Sequence, residues 1–133
     1  MRIAIDIDGT ICGLRGPNEA YADVQPLPGA VEKIRGFKTA GHYIILLTAR
    51  HMKTCGGNVG QVIARQGGVT IDWLARHEVP YDELHFGKPH AQVYIDDNAL
   101  RFESWSTIAG DGSNLPQSSE DSKAASTEGP QAR

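Results

Sequence analysis

The chain has 133 residues, 40% of them hydrophobic and 22% charged, with a formal net charge of −3. That length suits one domain with a useful core, and no stretch approaches the roughly 18–20 apolar residues that a membrane span needs, so no membrane partner is expected. Residues 1–102 hold eleven Asp and Glu against eleven Lys and Arg, so the whole net charge falls in the remainder; a neutral body without a basic block argues against a nucleic-acid partner.

The first element is a strand. Residues 2–7 alternate and then run apolar, as a buried strand does. The run is broken by acid at Asp6, so it does not read as a signal peptide. Cys12 and Cys55 show no CxxC or metal-type spacing and read as two reduced thiols, which gives a cytoplasmic expectation. Residues 12–27 mix Gly, Pro and polar side chains and read as a loop or small flap. "PGAVEKIRGFKTAG" follows as a helix: Val31, Ile34, Phe37 and Lys38 fall at helical spacing, Pro28 precedes the start, and Gly41 caps the end. "HYIILLTAR" is a second apolar run, suited to a strand buried on both faces.

Residues 51–68 are rich in Gly and polar groups and read as a loop with a short helical turn. The spacing predicts a second helix over roughly 69–77, with Ile71, Leu74 and Ala75 or Trp73 facing inward and Pro80 marking the end. "LHF" reads as a short strand, "GKPH" as a turn and "QVYIDD" as a further strand. From about Ser104 the text turns to Ser, Gly, Pro and acid, too polar to offset its ordering entropy. The expected division is a folded domain over 1–103 and a disordered tail over 104–133, with Trp105 packing the end of the folded part. Strands alternating with helices give an α/β fold with a mostly parallel sheet.

Chemistry gathers at the predicted strand ends, where open parallel sheets bind ligands. The first strand ends in Asp6-Ile7-Asp8-Gly9-Thr10, the second in Thr48-Ala49-Arg50, and the last in Asp96-Asp97. Lys88 sits between them in a Gly-Lys-Pro turn. Like charges as close as Asp6 and Asp8 cost free energy unless something positive lies against them. Mg²⁺ prefers carboxylates, water and phosphate oxygens. A carboxylate can attack phosphorus, and a second can serve as general acid and base. A lysine, a hydroxyl and backbone N–H groups of a glycine turn can hold phosphoryl oxygens.

"DIDGT", "YIILLT", "GKP" and "YIDD", in that order across residues 3–98, resemble the four motifs of the haloacid dehalogenase (HAD) superfamily. The resemblance implies a Rossmann-like three-layer sandwich around the parallel sheet. It implies Asp6 as nucleophile and Asp8 as general acid/base, with Gly9, Thr10, Thr48, Ala49 and Lys88 binding the phosphoryl group. It implies Mg²⁺ held by the Asp6 carboxylate, the Asp8 backbone carbonyl, Asp96 and Asp97. Arg50, Asn58, Asn98 and Arg101 are further candidates for substrate or outer contacts. More locally, "TARHMKTCGGNVG", "WLARHEVPYDELHFGKP" and "VYIDDNALR" are similar to small phosphatases of capsule and surface-polysaccharide biosynthesis.

No large cap domain fits the gaps between these motifs. By resemblance this is a capless or minimal-flap member, acting on large substrates or borrowing a wall from a neighbouring subunit in a homo-oligomer. The expected function is a Mg²⁺-dependent phosphomonoesterase acting on a small phosphorylated substrate, a sugar phosphate or related metabolite. A nucleotide or polynucleotide-end phosphatase is an alternative, and a non-catalytic HAD-fold regulatory or binding module is another of a different class.

Overall fold

The structure is a computed structural model that describes residues 1–116. Three parallel strands, β1 (Arg2–Asp6), β2 (Tyr43–Thr48) and β3 (Glu83–Phe86), form an open sheet in the order β1-β2-β3. The helices α1 (Ala30–Thr39) and α2 (Val59–Arg76) make the two crossovers. In register, Ile3 lies beside Ile44 and Ile5 beside Leu46, while Leu46 meets Leu84 and Thr48 meets Phe86. Side chains alternate between the faces of a strand, so one face carries Ile3, Ile5, Ile44, Leu46 and Leu84.

That face holds the core. Ile34 and Phe37 of α1 and Trp73 and Leu74 of α2 join Ile5, Ile44 and Leu46 in one buried cluster. Burying side chains of this size stabilises by about 1.5–3 kcal/mol each. Both crossovers step the same way across the sheet, and right-handed connections then place both helices on one side. The opposite face carries Arg2, Ala4, Tyr43, Ile45, Leu47, Glu83 and His85, with Ile45 and Leu47 half-buried. There Arg2 pairs with Glu83 at 3.2 Å and lies 4.5 Å from the Tyr43 ring centre. The described residues are therefore a Rossmann-like α/β unit with an open parallel sheet and two helices; a third layer is not seen among them.

Three further expectations change. The helix predicted from residue 69 begins ten residues earlier, at Val59. The Asn58 side chain accepts from the Gln61 N–H at 3.1 Å and caps it. Val62, Gln66, Thr70, Trp73 and Leu74 form its buried stripe, and Ile71 is exposed instead. Second, the strand expected at "QVYIDD" is absent, since residues 91–100 form no hydrogen-bonded secondary structure. They lack a paired neighbour strand, and Ile95 is 98% exposed. Third, packing onto the core does not end at 103. Trp105 and Ile108 are buried, and Lys33 of α1 donates to the Ile108 carbonyl. Residues 117–133, the rest of the expected tail, lie outside the described residues.

Gly41, at φ 92°, turns the chain from α1 into β2 in a conformation that suits glycine. The loop before α1 contains a 3-10 turn at Tyr21–Asp23. It is tied to α2 by the Trp73 indole N–H on the Val24 carbonyl at 2.7 Å and by Arg76 on the Ala22 carbonyl at 3.0 Å. Among the described residues no helix is long and apolar enough to cross a membrane.

Candidate functional site

β1 and β2 bring their carboxyl ends together in register, Asp6 beside Leu47. The residues that follow each strand line a cavity of about 560 Å³. Asp6 stands at the end of β1, and Ile7 beyond it is fully buried, which anchors the turn carrying Asp8. Gly9 makes that turn at φ 82°. Its N–H donates to the Cys12 carbonyl at 2.8 Å, and the Thr10 N–H donates to Ile7 at 3.2 Å. Both N–H groups expected to face a phosphoryl group are therefore used inside the turn.

Lys88 reaches the cavity from the turn after β3. Its backbone N–H donates to the Thr48 carbonyl at 3.1 Å, fixing that turn to the end of β2. Its ammonium lies 3.3 Å from Asp6 Oδ1 and 4.4 Å from the Tyr94 ring centre. Burial raises the pKa of Asp6; Lys88 opposes the rise, and the nearby Asp8 charge adds to it.

Asp8 is held differently. Arg50 Nε lies 3.0 Å from both Asp8 oxygens, and Nη2 lies 3.0 Å from Oδ1. The Thr48 hydroxyl donates to Asp8 Oδ2 at 3.1 Å and accepts from the Arg50 N–H at 3.1 Å. Arg50 is itself buried, donates to the Thr70 hydroxyl at 3.1 Å, and packs 4.3 Å from the Tyr21 ring centre. Thr48 and Arg50 thus orient Asp8 from within the core. Cys12 lies behind it with its thiol pushed up to about 12, chiefly by burial and by the Asp8 charge, which leaves it protonated and inert at neutral pH.

Of the residues singled out from sequence, Asp6, Asp8, Ala49, Arg50 and Lys88 line the cavity. Thr48 touches it only through Asp8. Asn58 caps α2. Asp96, Asp97, Asn98 and Arg101 are exposed and are not among the lining residues. Sequence reasoning passed over Arg15, Tyr21, His51, Lys53 and Thr54, which also line the cavity. The available signal was their place in the two loops that follow β1 and β2, where open parallel sheets build their sites. His51 takes φ 59°, and burial lowers its pKa, followed by the charges of Arg65, Arg15 and Arg50.

As a fit test for Mg²⁺, the Asp6 carboxylate faces the cavity, while both Asp8 oxygens are taken by Arg50 and Thr48. That suits an ion which keeps several waters and takes one or two carboxylates together with phosphate oxygens. No group of three or more His, Cys, Asp or Glu side chains converges among the described residues.

The chain is similar to the crystal structure of a target protein from Vibrio cholerae. The two are 33% identical, with a TM-score of 0.72, over 86% of this chain and 89% of the other. A chain of a Pnkp1/Rnl/Hen1 complex is 22% identical over 73% of this chain and 31% of that one, with a TM-score of 0.48. No family model matches the sequence, and no curated protein matches it.

Proposed function

We propose that this chain, which belongs to the same protein family as the Vibrio cholerae chain, is a HAD-like, Mg²⁺-dependent phosphomonoesterase acting through an aspartyl-phosphate on Asp6. One arrangement supports this reading most. Asp6 faces the Lys88 ammonium at 3.3 Å, while Asp8, one residue on, is gripped by Arg50 and Thr48. Two carboxylates thereby share one cavity, each with a cation against it, the pair of groups that attack on phosphorus and proton transfer would draw on. The substrate class, a sugar phosphate or related metabolite, rests on the sequence resemblance.

In the first step an Asp6 oxygen attacks phosphorus. The new oxygen–phosphorus bond forms as the ester bond breaks, and the leaving oxygen takes a proton from Asp8. Water then attacks phosphorus, Asp8 takes its proton, and the bond to Asp6 breaks to release inorganic phosphate. Lys88 is placed to take a phosphoryl oxygen and offset its charge. Arg50 and Thr48 are positioning residues that aim Asp8. The Asp6 carboxylate and the Asp8 backbone carbonyl would hold Mg²⁺, which when bound supplies further neutralisation of phosphate charge.

The test is phosphate release by the purified chain across sugar phosphates, nucleotides and p-nitrophenyl phosphate, with Mg²⁺ and with EDTA. Turnover that needs Mg²⁺ and is lost in Asp6→Asn is expected. Silence across the panel with Mg²⁺, or an Asp6→Asn variant within about tenfold of wild type, would overturn the reading.

A further inference from the structure

The charges of the candidate cavity do not balance. Asp6 is matched by Lys88 and Asp8 by Arg50. Arg15 and Lys53 line the same cavity, and among the described residues neither has a carboxylate within ion-pair distance. The lining thus holds four Lys and Arg against two carboxylates, while residues 1–102 as a whole are formally neutral. A cleft lined by an excess of one charge focuses its field and concentrates ligands of the other sign. A phosphomonoester dianion entering with Mg²⁺ brings no net charge, so the pair does not use up the surplus.

Both surplus cations stand on loops of defined shape. Arg15 lies in the loop after β1, its guanidinium 4.9 Å from the Tyr21 ring centre and its Nη1 donating to the Glu19 carbonyl at 3.1 Å. The Glu19 carboxylate is turned to the Gly16 N–H at 3.0 Å instead of to Arg15. Tyr21 also takes Arg50 at 4.3 Å, so one ring positions both the guanidinium that holds Asp8 and the exposed one beside it. Lys53 lies in the loop after β2, where the Met52 N–H donates to the Ala49 carbonyl at 3.0 Å and the Cys55 N–H to the His51 carbonyl at 2.8 Å. In that loop His51 takes φ 59°, a conformation that costs free energy outside glycine and that clusters at ligand-binding sites. The His51 Nδ1 is buried and has no hydrogen-bond partner among the described residues.

We propose that Arg15 and Lys53 form a subsite for a second anionic group, so that the substrate is a small phosphomonoester whose leaving group carries a carboxylate or a further phosphate. Arg15 presents a planar fork of donors that matches the oxygens of either anion. Lys53 adds a point charge from the other loop. A cavity of about 560 Å³ has room for a ligand of that size. The inference rests on the phosphatase reading and deepens it. Lys88 and Asp6 take the phosphoryl end, and the two loops take the anionic end. Acidic sugar phosphates and bisphosphates are therefore preferred over neutral sugar phosphates.

The experiment is a calorimetric titration of the full chain carrying Asp6→Asn, which under that reading binds without turnover, in Mg²⁺ at low salt. The ligands come in pairs that differ by one anionic group: phosphoglycerate against glycerol phosphate, and fructose bisphosphate against fructose monophosphate. The first pair offers a carboxylate and the second a phosphate, so the two arms distinguish the source of the charge. In at least one pair the member with the second anion should bind about tenfold tighter, the worth of a hydrogen bond to a charged group.

Adding Arg15→Gln or Lys53→Gln should lower that ratio, Arg15→Gln the more, and both together should bring it near one. Both side chains are exposed, so the changes leave the fold intact, with an unchanged circular dichroism spectrum as the check. Arg35→Gln should keep the ratio, since Arg35 pairs with Glu78 and does not line the cavity; a ratio that falls equally there would overturn the proposal by showing that only overall charge is read. Equal affinities within both pairs, or a preference that survives the double substitution, would overturn it while the phosphatase reading stands. Binding of no compound at all would overturn that reading and the subsite with it.

Discussion

Asp6 and Asp8 stand two positions apart, and their neighbours make opposite demands on them. Burial raises the Asp6 pKa above its ordinary 3.8. A raised folded-state pKa means that the group stabilises the fold fully below the unfolded pKa, and that this contribution is lost as pH rises through the folded one. Asp6→Asn should therefore raise the melting temperature at neutral pH in metal-free buffer, while abolishing turnover. The gain should vanish as pH falls below about 4. Asp8→Asn should do the reverse. The Arg50 side chain, 1% exposed, would lose its counter-charge, and breaking a buried pair from one side costs about 3–5 kcal/mol. Denaturant melts of the two variants at neutral pH should move in opposite directions; equal shifts would show that the carboxylates share one setting. Asp6, Asp8 and Lys88 were legible in the sequence because each sits in a short motif with its turn residues beside it. The grip of Thr48 and Arg50 on Asp8 was not, because it joins residues some forty positions apart and leaves no local pattern. Arg50, a candidate for substrate or outer contacts, is a buried group that holds Asp8.

At the scale of elements, the sequence reading went astray where glycine argued against burial. Gly60, Gly67 and Gly68 made residues 51–68 look like a loop, since glycine weakens a helix interior. The helix forms because Asn58 caps it and because the stripe from Val62 to Leu74 is buried along its length, and tertiary packing outweighs a weak propensity. Gly68 is exposed, has negative φ, and a Cβ there would meet nothing within 4 Å. Gly68→Ala should stabilise the fold by about 0.4–1 kcal/mol by narrowing the unfolded ensemble. Destabilisation measured in urea would instead place Gly68 outside a helix. α1 and the first two strands were legible because periodicity and end signals agreed. The joint between elements was less so. Asp82, just before β3, accepts from Lys38 of α1 and from the Ile44 N–H of β2, each at 2.7 Å. These bonds, Lys38 first, lower its pKa. Its contribution is present above the unfolded pKa and lost as pH falls through the folded one. Asp82→Asn should lower the melting temperature at neutral pH, with the deficit closing on acidification below about 4; a deficit that persists there would mean a steric cause.

For the molecule as a whole, the decisive residue is Trp105. Its surroundings are Ser, Gly, Pro and acid, and average polarity set the expected boundary at 103, although Trp105 itself was expected to pack against the folded part. Average composition hides single anchors. Trp105 is 3% exposed, and its indole N–H donates to the Thr10 carbonyl at 2.6 Å. Its ring lies 6.2 Å from Phe37 on α1 and 5.3 Å from Phe102. One side chain thus joins the last described segment, α1 and the turn that carries Asp8. Trp105→Ala removes the rings' common partner and leaves a cavity in the core, which costs about 3–5 kcal/mol. Trp105→Phe keeps an aromatic ring and loses the bond to Thr10, a smaller loss of about 1 kcal/mol. Because Thr10 closes the turn after Asp8, the alanine variant should also lower turnover, and the phenylalanine variant should recover most of it. Urea midpoints and phosphate release on the same preparations test both effects. An alanine variant within about 0.5 kcal/mol of wild type, the range of ordinary surface changes, would mean that the core ends before Trp105 and that the boundary read from composition was correct.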